Sequence, residues 1–248
     1  MLLGEAVLKT TTLGIIAAIT DDSDRNRYRL EHGIVRADGI GEWTRILEDA
    51  LTGPASQYLL VEARTEQTEL TKLCKSGDWQ YEAVIELKNS LDQLAIDAED
   101  VPTKSDMKRW FRLFATLRNK TRAHGATMPH KATLASVTLE RSISLFYRNH
   151  SLFKRPWAYL YRNLSGKYRV SPITPDCQAF EPLKKVSDKP LQNGIYVFIG
   201  AARLVSLVDS DPDLRDFYFA NGGLSAKTFE LLSYATDNKR DGDALALK

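Results

Sequence analysis

From residue 79 to residue 150 the apolar residues recur every three or four positions, the period of amphipathic helices. Val84, Leu87, Leu91, Leu94 and Ala95 form one stripe within WQYEAVIELKNSLDQLAIDAED. Met107, Trp110, Leu113, Phe114 and Leu117 form a second, after Pro102 and a candidate cap at Ser105. Gly125 and Pro129 stop that helix, and KATLASVTLERSISLFYRNH makes another to about residue 150. Upstream, EWTRILEDAL sets Trp43, Ile46, Leu47 and Ala50 at helical spacing. From the break at Pro54, SQYLLVEARTEQTELTKLC runs helically to near Gly77. Four or five helices with short connections over residues 42–150 predict an antiparallel bundle.

The flanks differ in texture. LGIIAAIT and YRLEHGIV, on either side of the polar DDSDRNR, read as short strands, so residues 1–41 are expected to be an N-terminal β segment. ADGIG, ahead of the first bundle helix, is a turn and cap; it lacks the rest of a Walker or Rossmann fingerprint. After Pro156, WAYLYRNL, KYRVSPI, GIYVFIG, RLVSLV and FYFANG are short aromatic and β-branched runs separated by turn residues. They predict a β-rich C-terminal domain over residues 151–240, followed by a tail at 241–248. The expected class is α+β: a helical bundle with a short N-terminal β segment and an appended C-terminal antiparallel β region.

Composition narrows the function. An apolar fraction of 43% and a charged fraction of 27% suit a soluble globular protein. No apolar run approaches the roughly 20 residues of a membrane span. Glu5 and Lys9 interrupt the weakly apolar opening, so no leader peptide is expected. Cys74 and Cys177 lie in no CxxC pair and read as lone buried thiols, which points to the cytoplasm. The net charge of +2 hides an asymmetry: Lys104 to Arg169 holds fifteen Lys/Arg against Asp106 and Glu140, a local +13 balanced by −11 elsewhere. That excess points to a polyanion partner.

At the centre of this zone lies LRNKTRAHG, residues 117–125. A histidine titrates near neutrality and can take up and return a proton. An arginine keeps its charge and offers a planar fork suited to phosphate oxygens. Asn119 adds a neutral donor and acceptor, and no carboxylate lies within ten residues of His124 to help hold a metal. This set suits attack by an RNA 2′-hydroxyl on its neighbouring phosphate, with neither metal nor cofactor. Six residues along a helix separate Arg118 from His124 by roughly 9 Å and about 120°, so two chains across a two-fold axis would build a composite site. Cations at a helix C-terminus also complement its dipole, and a histidine before a helix-ending glycine is often a surface cap. The residues alone leave both readings open.

Arg118 to His124, R-N-K-T-R-A-H, resembles the R-x(4–6)-H signature of the HEPN superfamily, with a polar residue directly after the arginine. The resemblance covers roughly residues 42–150. It implies a HEPN-like bundle and a dimeric, metal-independent endoribonuclease of the prokaryotic antiviral-defence or toxin kind, with an antitoxin or defence-system partner protein. Carried over, Arg118 orients the scissile phosphate, His124 is the acid/base group and Asn119 holds the adjoining polar position. Lys108, Arg112, Lys120 and Arg122 are assigned to the RNA backbone on charge alone. A non-catalytic HEPN module, serving dimerisation, RNA binding or regulation of a partner, is the alternative.

Other features read more plainly. His32, His130 and His150 have no partners at metal-ligand spacing and are expected at the surface. Asp209, Asp211 and Asp213 belong to a turn, since Pro212 and a missing glycine break the calcium-loop pattern. Trp157, Tyr159, Tyr161 and Tyr168, interleaved with Arg155, Arg162 and Arg169, suit either a stacking platform for single-stranded RNA or a half-buried strand.

Overall fold

Helices occupy most of the chain before residue 155 and a small antiparallel sheet follows them, an α+β arrangement. The computed structural model describes residues 1–20, 25–37, 39–123, 129–173, 181–182, 193–199 and 203–206. Its helices are α1 (Leu2–Ala17), α2 (Asn26–Arg36), α3 (Ile40–Thr52), α4 (Arg64–Thr71), α5 (Trp79–Gln93), α6 (Met107–Ala123), α7 (Pro129–Asn149) and the short α8 (Ser151–Lys154).

The N-terminal β segment expected over residues 1–41 is helical instead. In α1, eleven of sixteen residues are buried, among them Val7, Leu8, Leu13, Ile15 and Ile16. A helix buried on nearly every side loses the 3.6-residue pattern, and its β-branched residues then resemble a strand. In α2 the apparent alternation of YRLEHGIV conceals Leu30 and Ile34, which are buried one helical turn apart. Both helices join the same apolar core as the helices of residues 42–150. The ADGIG turn does cap α3: Glu42 accepts a bond from the Gly39 N–H at 3.2 Å.

Within residues 42–150 the long helices lie close to their expected positions, with two changes. The stretch from Pro54 to Cys74 is not one helix; 3₁₀ turns at Pro54–Tyr58 and Val61–Ala63 precede α4. Cys74 and Ser105 instead exchange backbone hydrogen bonds of 2.8 and 2.9 Å. Helix α5 stops at Gln93 because Ala95 takes a left-handed backbone, φ +56°. Ile96 N–H then bonds Leu91 O, and Ala95 N–H bonds Asp92 O, both at 2.9 Å, which closes a Schellman motif.

The core centres on α6. Its expected stripe of Met107, Trp110, Leu113, Phe114 and Leu117 is buried throughout. Trp110 stacks on Phe114 at 5.3 Å and meets Phe146 of α7 edge-on at 5.1 Å. Each such aromatic contributes about 1.5–3 kcal/mol through burial. The one polar group of Trp110 is satisfied: its Nε1–H donates to Ser142 Oγ at 2.7 Å, and Ser142 donates to Ala83 O at 2.6 Å. Ser142 opposite Ala83 and Thr138 opposite Ser90 make α5 and α7 antiparallel.

The sheet has strands β1 (Trp157–Arg162), β2 (Tyr168–Pro172), β3 (Glu181–Pro182), β4 (Gly194–Ile199) and β5 (Arg203–Ser206), in the order β3-β2-β1-β4-β5. Every pairing is antiparallel, with Leu160 opposite Val170 in the β1–β2 hairpin. Trp157, Tyr159 and Val197 pack against the helical core. A polar node at the end of α7 ties this region to α4. Glu69 accepts bonds from His150 Nδ1 and Ser151 N–H, both 2.8 Å, and from Ser151 Oγ at 2.5 Å. Arg155 pairs with Glu66 beside it. His150 is thus fully buried rather than at the surface, because its carboxylate partner comes from another helix.

Candidate nucleic-acid site at the end of helix α6

Helix α6 continues to Ala123, so Arg118 and Asn119 stand on its last two turns. Thr121 back-bonds to Leu117 O at 2.8 Å within that stretch. Arg118 faces α1: its Nε–H donates to Glu5 Oε1 at 3.2 Å, with the two side chains only 21% and 12% exposed. Its Nη1 reaches Asn119 Oδ1 at 3.4 Å, the long limit of a hydrogen bond. Asn119 and Lys120 are exposed. His124, the residue after Ala123, lies outside the described residues, as does the side chain of Arg122.

Two of the residues assigned to the RNA backbone, Lys108 and Arg112, do not gather around Arg118. Arg112 lies roughly 120° away around the helix and is gripped by Glu48 of α3, Nε at 2.6 Å and Nη2 at 2.8 Å. Those bonds push its pKa further up and commit much of its fork. Lys108 pairs with Asp106 at 3.4 Å. Among the described residues, then, Arg118, Asn119 and Lys120 share the end of α6, while Lys108 and Arg112 sit at its start and middle.

The basic zone is less bare in space than along the chain. Arg109 meets Glu99, Arg112 meets Glu48, Arg118 meets Glu5, Arg141 meets Glu86 and Arg155 meets Glu66. All five acids come from outside residues 104–169, so folding partly neutralises the local excess of +13. The exposed pairs among them contribute little to stability, but all five lower the field that a polyanion meets.

The aromatic run divides. Trp157 and Tyr159 turn toward the helices, and the Trp157 Nε1–H donates to Leu152 O at 3.0 Å. Farther out, Arg162 lies over the Tyr168 ring at 5.6 Å, and Tyr161 sits opposite Arg169 in the register. Of this aromatic run, the outer end of the β1–β2 hairpin has the exposure a stacking surface needs. Cys74 is a free, buried thiol, and His32 stacks on Tyr28 at 6.3 Å. The side chain of His130, and Cys177, Asp209, Asp211, Asp213 and the tail, lie outside the described residues.

Glu5 was not singled out from the sequence as part of this site. Its signal in the sequence was weak, because Lys9 stands four residues on in the same helix, at the spacing of a local ion pair. Among the described residues no group of three or more His, Cys, Asp or Glu is placed to hold a metal ion. No helix among them is long and apolar enough to cross a membrane. Comparison of the chain with protein-family models, curated proteins and solved structures finds no match in any of the three.

Proposed function

We propose that this chain is a metal-independent endoribonuclease of HEPN type, acting as a homodimer in prokaryotic defence or as a toxin. The observation that carries the reading is the placing of Arg118 and Asn119 on the last turns of α6, at the rim of a helical bundle. His124 follows directly in the chain. Arg118 is held by one edge of its guanidinium, while its exposed neighbours Asn119 and Lys120 suit a phosphate backbone. In the reaction, His124 takes the proton from a ribose 2′-hydroxyl as its oxygen attacks the adjacent phosphorus. The P–O5′ bond breaks, the 5′-oxygen takes up a proton, and a 2′,3′-cyclic phosphate remains. Arg118 stabilises the charge that builds on the phosphoryl oxygens.

The test is the purified protein with total RNA in EDTA, beside His124→Ala. Cleavage that persists and leaves cyclic- or 3′-phosphate ends is expected, with loss on the order of 10²–10⁴-fold in the variant. Activity that vanishes on chelation and returns with magnesium would overturn the mechanism. RNA binding without cleavage would favour the non-catalytic HEPN module. Arg118→Ala and His124→Ala proteins, each inactive, should regain part of the activity when mixed if one site draws on both chains.

A further inference from the structure

We propose that Glu5 of α1 is the positioning residue for Arg118, holding the Nε side of the guanidinium so that its Nη edge meets the RNA phosphate. The role rests on the ribonuclease reading above. Three observations carry it. First, the Arg118 hydrogen bond to Glu5 runs from Nε, at 3.2 Å, while Nη1 meets Asn119 Oδ1 at the long limit of 3.4 Å. A guanidinium has five N–H donors, and a carboxylate on the Nε–H leaves the end of the fork, between Nη1 and Nη2, directed away from it. A carboxylate bound across both Nη atoms would instead occupy the place of a phosphate.

Second, the contact is built by the fold. The Phe114 ring of α6 lies against Gly4 of α1, where an added Cβ would lie 2.3 Å from Phe114 Cε2. Phe114 and Arg118 are one turn apart on the same face of α6, so seating the Phe114 ring on Gly4 brings Glu5, the next residue, beside Arg118. Third, both side chains are largely shielded, 12% exposed for Glu5 and 21% for Arg118. Shielding strengthens the pair and limits the arginine's rotamers, which is what a catalytic contact requires of its support.

The test uses full-length protein with Glu5→Ala and Glu5→Gln. Turnover and KM are measured with an RNA that the wild type cleaves, per folded molecule as counted by circular dichroism. The Arg118 Nε–H is followed by NMR, its signal assigned by its absence in Arg118→Lys. In Glu5→Ala, kcat should fall on the order of 10²-fold with KM little changed, and the Nε–H should lose its exchange protection. Glu5→Gln keeps an oxygen for the Nε–H and should recover most of both. Unchanged or faster turnover in Glu5→Ala would overturn the positioning role while leaving the ribonuclease reading intact; faster turnover with tighter RNA binding would mean that Glu5 blocks the site. Equal loss in both variants, with protection retained, would also overturn it. A wild-type protein that cleaves no RNA would overturn both.

Discussion

Replacing Glu69 with alanine removes the acceptor on which the end of α7 closes. Two donors then lose their partner, the Nδ1–H of buried His150 and the half-buried Ser151 N–H, while the Ser151 hydroxyl can turn elsewhere. His150 is fully buried and its Nε2 has no hydrogen-bond partner among the described residues, so the proton belongs on Nδ1. An orphaned buried donor costs about 1–3 kcal/mol, and partial access of water at Glu69 lessens the sum, so Glu69→Ala should lose about 2–4 kcal/mol. For a chain of this size that lowers Tm by roughly 5–15 °C.

Glu69→Gln separates geometry from charge. Both the His150 and the Ser151 N–H bonds fall on Oε2, so an amide oxygen there keeps them while the NH2 donates to Ser151 Oγ. Its loss at neutral pH should stay within about 1 kcal/mol. Acid distinguishes the two further. Burial pushes the Glu69 carboxyl up, but the bonds from His150 and Ser151 outweigh it and hold the group below its ordinary value. The stability this confers is present above the unfolded pKa of about 4.3 and is lost as pH falls through the lower folded value. Urea unfolding at pH 7 and across pH 2–5, fluorescence-detected through the tryptophans, reads both effects. A Glu69→Ala loss below about 0.5 kcal/mol would refute the node as a structural tie, given the cost of an orphaned donor. So would an acid limb as steep in Glu69→Gln as in the wild type.

Ala95→Gly should stabilise the protein by about 1 kcal/mol, because Ala95 is exposed and sits at φ +56°, where glycine is unstrained; a lower urea midpoint would contradict the Schellman assignment. Ser142→Ala strands the Trp110 Nε1–H in the core and should cost about 1–3 kcal/mol, with a changed near-UV tryptophan signal. A neutral effect on both would mean that the Trp110–Ser142–Ala83 chain is not formed.

Local periodicity was enough to place α3, α5, α6 and α7, because a helix buried on one face writes that face into its sequence. The stripe from Met107 to Leu117 and the turn to β-rich texture after Pro156 follow from the same reading, as does the position of Arg118 and Asn119 near the end of α6. Helix α1 escaped it because burial on almost all sides erases the stripe, leaving β-branched residues with no telling period. The early end of α5 escaped it too, since one left-handed alanine leaves no mark on apolar spacing.

Tertiary structure alone decided the partners. Glu5 stands 113 residues from Arg118, and Glu69 stands 81 from His150, and no spacing rule links positions so distant. The seating of the Phe114 ring on Gly4 made the first pair, and the meeting of α4 with the end of α7 made the second. Charge shows the same division. A run of fifteen cations is plain in the chain, but which of them remain available to a phosphate depends on carboxylates that folding carries in from elsewhere. Covalent order sets which side chains exist and which faces are apolar; only the folded geometry sets which charges meet, because Coulomb attraction acts through space and not along the backbone.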